Sequence, residues 1–157
     1  MCWGLSFLSV PLVINLPNKL IWNTSNSAPR GLYWAKNEAP SRGDIVIVRL
    51  PFYLRKQADE RNYLPISLPL LKPVAALNGD KICRISKTVF INGKAAAVAL
   101  QRDQKGRSLL SWSGCFQLSL HEIFLLSDYQ NSFDGRYFGK INIKNIQGIA
   151  KPIWIWN

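Results

Sequence analysis

Serine and lysine are the residues of this chain with scope for chemistry. The single histidine, His121, lies in LSLHEIFLLS beside Glu122. It reads as a surface residue at the turn into a strand rather than as the base of a Ser-His-Asp triad. No GxSxG elbow, Walker loop, HExxH pair or GxGxxG turn occurs in the sequence, so the usual hydrolase, nucleotide and zinc-protease chemistries have no support. Cys2, Cys83 and Cys115 lack metal-binding spacing, and neither a metal nor any other cofactor is expected. A hydroxyl can instead be activated by a neutral lysine held in an apolar wall, where desolvation lowers the amine pKa. Among thirteen serines and eleven lysines, composition selects no couple. Local context favours Lys72, which sits in LPLLKPVAAL with no acidic residue within seven positions. The plain alternative is a strand-edge lysine whose amine reaches water.

The elements that would position such a couple are mostly strands. GDIVIVRL (43–50), LKPVAAL (71–77), DKICRI (80–85), EIFLLS (122–127) and GIAKPIWIW (148–156) are short apolar runs of strand type. TVFINGKAAAV (88–98) carries Asn92-Gly93, a two-residue hairpin signal. Long helical periodicity is absent, which predicts a mainly β domain with several hairpins and a closing C-terminal strand. The charged segments 54–65 and 101–114 are expected to be solvated loops. Residues 1–18 contain no charged side chain but are interrupted by Pro11 and Pro17. They are expected to be a short or tilted membrane anchor or an uncleaved signal-like leader, with a buried strand as the alternative, ahead of a single folded domain over 19–157. At 157 residues and 48% hydrophobic the chain can bury one core. The net charge of +11 invites an anionic partner. Because the basic residues are dispersed and no nucleic-acid-binding motif collects them, anionic lipid is favoured over nucleic acid.

Four blocks in order then carry a resemblance: NTSNSAPRGLYW (23–34), SRGDIVIVRLP (41–51), YLPISLPLLKPVAALNGDKIC (63–83) and EIFLLSDYQNSFDGRYFGKI (122–141). Together they resemble the TraF-type peptidases of conjugative transfer systems, relatives of bacterial signal peptidase I. The similarity extends over about residues 20–156. It implies a signal-peptidase-like β-rich fold with a hairpin insert, tethered to the bacterial cytoplasmic membrane with the catalytic domain on the periplasmic or outer side. It also implies a serine endopeptidase acting after small residues of an exported precursor with a signal-like segment, a conjugative pilin or another protein of the transfer apparatus. Some such enzymes resolve the acyl-enzyme with an amine rather than water, and both outcomes stay open. A catalytically inactive assembly scaffold and a basic nucleic-acid-binding β-domain are the alternatives.

By the same resemblance Ser27 is the nucleophile and Lys72 the general base. Ser25, with the N–H of Ser27, would form the oxyanion hole, Ser132 would orient the lysine amine, and Asp134 and Arg136 would be a supporting ion pair. Cys83 and Cys115 would form a disulfide tying the hairpin insert to the catalytic core. Without the resemblance, one disulfide and two reduced core cysteines are both compatible with the count. Four positions depart from the pattern: Pro73 stands in place of an arginine, Asn78 of a proline, Gly135 of a small serine and Lys140 of a proline. Pro73 removes a backbone donor beside Lys72 and would loosen how that strand is held.

Overall fold

The computed structural model describes residues 20–156, so the apolar run 1–18 and Cys2 lie outside the described residues. The chain is mainly β, as its apolar runs require. Strands β1 (Leu20–Asn23), β2 (Gly31–Lys36) and β3 (Ile45–Val48) precede helix α1 (Phe52–Glu60). Then come β4 (Leu70–Ala76), β5 (Lys81–Ile85), β6 (Thr88–Ile91), β7 (Lys94–Val98), β8 (Gly114–Gln117) and β9 (Glu122–Leu125). The short helix α2 (Gly135–Phe138) is followed by β10 (Ile141–Asn142) and β11 (Ile146–Ile155).

Two antiparallel sheets result. The larger has the order β1-β2-β11-β3-β4-β9-β10, and the smaller the order β7-β6-β5-β8. The IVIV run of β3 suits an interior strand, where β-branched side chains pack against both faces. The final strand, β11, lies between β2 and β3 and pairs with both, so Ile149 faces Lys36 on one side and Val46 on the other. On one face of the larger sheet, Val46, Val48, Val74, Ile123 and Leu125 meet Leu54 and Ala58 of α1. On the other, Tyr33, Ile47, Leu71 and Ala150 enclose Ala28. Ile82 and Val89 of the small sheet pack on Ala76 and Phe124 and join the sheets.

The strands expected from sequence form at each of the named runs. At the β6–β7 turn, Asn92 and Gly93 both have positive φ, 51° and 79°. That is the conformation a twisted two-residue hairpin needs. Segment 54–65 departs from expectation, because its first half is helical. Leu54 and Ala58, four apart, are each only 2% exposed and form the buried stripe of α1. Two small apolar positions among Arg55, Lys56, Asp59 and Glu60 gave too narrow a stripe to stand out from the charge.

Gly135 occupies a place where no side chain fits. A Cβ there would stand 2.6 Å from the carbonyl oxygen of Leu125 and 2.8 Å from two ring carbons of Phe124. The serine that the resemblance would put at this position therefore needs a different local packing. Gly135→Ala should lower stability by about 1–3 kcal/mol, as overpacking against fixed backbone does. A urea midpoint unchanged from the parent chain would contradict that contact.

Candidate active site

Three segments far apart in sequence converge beside a cleft of about 540 Å³ that Ser27 and Lys72 line. The turn between β1 and β2 brings Ser27, β4 brings Lys72, and the loop between β9 and α2 brings Ser132. Lys72 is 1% exposed and its Nζ donates to Ser132 Oγ at 2.7 Å. The Ser132 hydroxyl in turn donates to Ser27 Oγ at 3.3 Å. No direct hydrogen bond joins Lys72 Nζ to Ser27 Oγ among the described residues; Ser132 stands between them. Burial pushes the Lys72 amine down to about 8, with the Asp134 carboxylate raising it and the Arg136 guanidinium lowering it further. Because Asp134 and Arg136 neutralise each other, desolvation prevails.

Lys72 is held by the sheet through its own backbone. Val74 N donates to Asp44 O, and Leu126 N donates to Pro73 O. In an antiparallel ladder successive residues face opposite neighbours, so Lys72 faces β3, where it pairs with Val46, and Pro73 faces β9. The pairing of β4 with β9 takes in only Val74 and Ala76, so Pro73 sits at its margin. The missing N–H therefore removes no bond to β3, and the loosening expected from this proline does not follow.

Ser132 is held by a clamp at the start of α2. Asp134 and Arg136 are both buried and paired through Nε and Oδ1 at 2.8 Å and through Nη2 and Oδ2 at 3.1 Å. Asp134 also accepts from Ser127 N, at 3.1 Å, and from Arg136 N, capping the helix. Arg136 donates to the carbonyls of Ser127 and Gln130. The loop carrying Ser132 is thus fastened at both ends. Two further donors complete the fixture, one from β5 and one from the loop before β8: Arg84 Nη1 reaches Arg136 O at 2.7 Å, and Trp112 Nε1 reaches Gly135 O at 3.0 Å.

The disulfide forms between Cys83 and Cys115, directly opposite each other on β5 and β8. Its position corrects the expectation that it would tie the insert to the core, since both cysteines belong to the small sheet. Sequence order misled here because Cys83 follows β4 so closely. The bridge instead joins the strand of Arg84 to the strand after Trp112, the two residues that brace α2. Lys140, another departure, forms an ion pair with Glu122 at 2.7 Å.

Ser25 lines the same cleft and is exposed. Its hydroxyl donates to Asn23 Oδ1 at 2.8 Å, and its N–H donates to the same oxygen at 3.1 Å. Facing an oxyanion at Ser27 would require that hydroxyl to rotate away from Asn23. The N–H of Ser27 makes no hydrogen bond among the described residues and is free to donate.

Asn23 itself escaped the sequence analysis. It is 6% exposed, and its Nδ2 donates to the carbonyls of Ser25, Ala28 and Pro29 at 3.0–3.2 Å. One side chain thereby folds the whole turn around Ser27. The signal was present in the NTS tripeptide, since an asparagine two residues before a serine is an Asx-turn pattern. Asn23→Ala should leave those carbonyls unpaired, costing about 2 kcal/mol of stability, and should lower kcat/KM about 100-fold through misplacement of Ser27. An unchanged kcat/KM would mean the turn holds its shape without Asn23.

The two charged segments also contribute to the lining of the cleft. Arg61, Asn62 and Tyr63, after α1, stand there with Asp103, Lys105 and Arg107 of the loop before β8. Segment 101–114 is irregular apart from a bridge between Arg102 and Ser108, as its composition suggested. Its location on the cleft was not legible in sequence.

A mainly β fold with a buried lysine, two serines in series and a capped ion-pair clamp defines a class of peptidase-like scaffold. The family of signal peptidase, peptidase S26, matches residues 4–156, and the chain belongs to it. It is 32% identical to the plasmid transfer protein TraF of Escherichia coli over 85% of this chain and 82% of that one. It is equally 32% identical to the conjugal transfer protein TraF of Agrobacterium tumefaciens, over 86% of this chain and 82% of that one. Among solved structures, a signal peptidase I from Enterococcus faecalis covers 73% of this chain and 98% of its own at 19% identity, with a TM-score of 0.41.

Proposed function

We propose that the chain is a serine endopeptidase of a conjugative transfer system that cleaves a membrane-associated precursor, with Ser27 as nucleophile and Lys72 as general base. The observation that carries this is the series Ser27–Ser132–Lys72, ending in an amine that burial makes largely neutral at mildly alkaline pH. Ser27 passes its proton toward Lys72, directly or through Ser132, as its Oγ attacks the scissile carbonyl. The oxyanion forms beside Ser27 N–H and the Ser25 side chain. Lys72 then returns the proton to the leaving amine, and the acyl-enzyme is resolved by water activated by the same amine. The substrate is read as an extended strand. Leu71 turns its N–H and C=O away from β3, on the side where β9 pairs only from Val74 onward, so β4 offers an edge beside Lys72. Small residues, alanine above all, suit the position before the scissile bond.

The substrate proposed is a conjugative pilin precursor or another protein of the transfer apparatus; the names of the plasmid and conjugal transfer relatives support a place in such a system. An attachment to anionic lipid at the outer face of the cytoplasmic membrane is part of the same proposal. Trp22 and Trp154 are exposed and each packs at a tilt against Trp156, at centroid distances of 4.6 and 5.2 Å. Trp22 also borders the cleft, and indole rings favour the headgroup region. No helix among the described residues is long and apolar enough to cross a membrane. Nucleic acid is not proposed as a partner. The test is co-expression of a candidate pilin precursor with the parent chain, Ser27→Ala and Lys72→Ala, followed by the precursor's mass. Processing that survives both substitutions would reject the couple.

A further inference from the structure

The cleft that Ser27 lines also carries positive charge that the fold leaves uncompensated. Arg61, Lys105 and Arg107 line it, and Asp103 is the one carboxylate among the described lining residues. Asp103 is saturated: Oδ2 accepts from Tyr63 Oη at 2.6 Å and Arg107 Nε at 2.7 Å, and Oδ1 accepts from Lys105 N and Arg107 N, each at 2.9 Å. It is therefore matched to Arg107 alone. The Arg61 guanidinium has only neutral partners, Ser108 O at 2.8 Å and Tyr63 Oη at 3.5 Å. Lys105 has no ion pair among the described residues. Both cations are solvent-accessible, so a ligand can reach them.

Resting on the peptidase reading, we propose that the cleft selects peptide segments bearing a carboxylate, bound by Arg61 and Lys105 while the scissile carbonyl lies at Ser27. A guanidinium with unpaired N–H groups is suited to a carboxylate, which takes two parallel hydrogen bonds. The carboxylate has two sources, an acidic side chain or a free peptide C-terminus. Such a contact, made at a distance from the reacting bond, acts as a specificity determinant rather than as catalysis.

The test uses peptides spanning the precursor's cleavage site with amidated ends. One is neutral, a set carries a single glutamate moved through the positions on either side of the scissile bond, and one is neutral with a free C-terminal acid. Binding to the Ser27→Ala protein is followed by fluorescence anisotropy and cleavage by the parent chain as kcat/KM. At least one carboxylate-bearing peptide should bind about tenfold more tightly than the neutral one. The glutamate and free-acid arms tell the two sources apart. Arg61→Gln combined with Lys105→Gln should bring that ratio close to one. Lys81→Gln combined with Lys94→Gln, exposed cations of the small sheet, removes the same net charge and should leave it. Equal binding of all peptides, or a preference lost equally in both double variants, overturns the inference. Charge-selective binding without cleavage by the parent chain would sink the peptidase reading alone, and cleavage without charge selectivity would sink this inference alone.

Discussion

Ser27→Ala should abolish processing, lowering the rate by about 10⁴-fold or more, the scale seen when a covalent nucleophile is removed. Its stability should remain within about 0.5 kcal/mol of the parent. The Oγ lost makes one long contact, 3.3 Å from Ser132, while the 2.7 Å bond between Ser132 and Lys72 persists. Ala28 stays packed in its pocket, and Asn23 still braces the turn through the carbonyls of Ser25, Ala28 and Pro29. Mass spectrometry of a purified precursor, incubated with a protein shown by melting to be folded, reads both halves of this expectation. Wild-type turnover in the variant would place the nucleophile elsewhere.

Lys72→Met should be equally inactive and yet more stable at pH 7. A buried amine lowered from 10.5 to about 8 is protonated in both folded and unfolded chains below pH 8, so there the fold bears the full cost of a buried charge. Between about pH 8 and 10.5 the unfolded chain binds more protons than the folded one, and stability rises with pH across that window. The cost at pH 7 is about 3 kcal/mol. Leaving Ser132 without its amine partner returns about 1–2 kcal/mol of it. A net gain of about 1–2 kcal/mol is expected from thermal melts at pH 7, shrinking as pH approaches 10.5. In the parent chain kcat/KM should climb with pH through about 8 as the amine loses its proton. A methionine variant that melts lower at pH 7, or a flat profile between pH 6.5 and 9, would contradict a buried, proton-accepting lysine.

The strand content was legible because short apolar runs bounded by turn residues leave few alternatives, and the Asn92-Gly93 turn fixed its own hairpin. Lys72 could be singled out by its apolar neighbours. Ser27 and Ser132 could not, since nothing local to a serine says that chain segments 45 and 60 residues away from Lys72 will meet it. Only the spaced blocks resembling TraF-type peptidases suggested that meeting. Helix α1 was missed because Leu54 and Ala58 are the whole of its buried stripe. Asn23 was missed because its five partners are the atoms of its own turn, which no pattern of hydrophobicity reports. The place of the disulfide depended on which sheet β5 joins, a long-range pairing.

Strand β11 has a bearing on when the protein can act. The hairpin of β1 and β2, which carries Ser27, forms no strand pair with β3; within the larger sheet its strand pairing to the part that holds Lys72 runs through β11. A ribosome delivers β11 after every other described element, so a nascent chain holds Ser27 and Lys72 on elements that no strand yet pairs together. On the proposed peptidase reading, competence to cut therefore arrives late in synthesis.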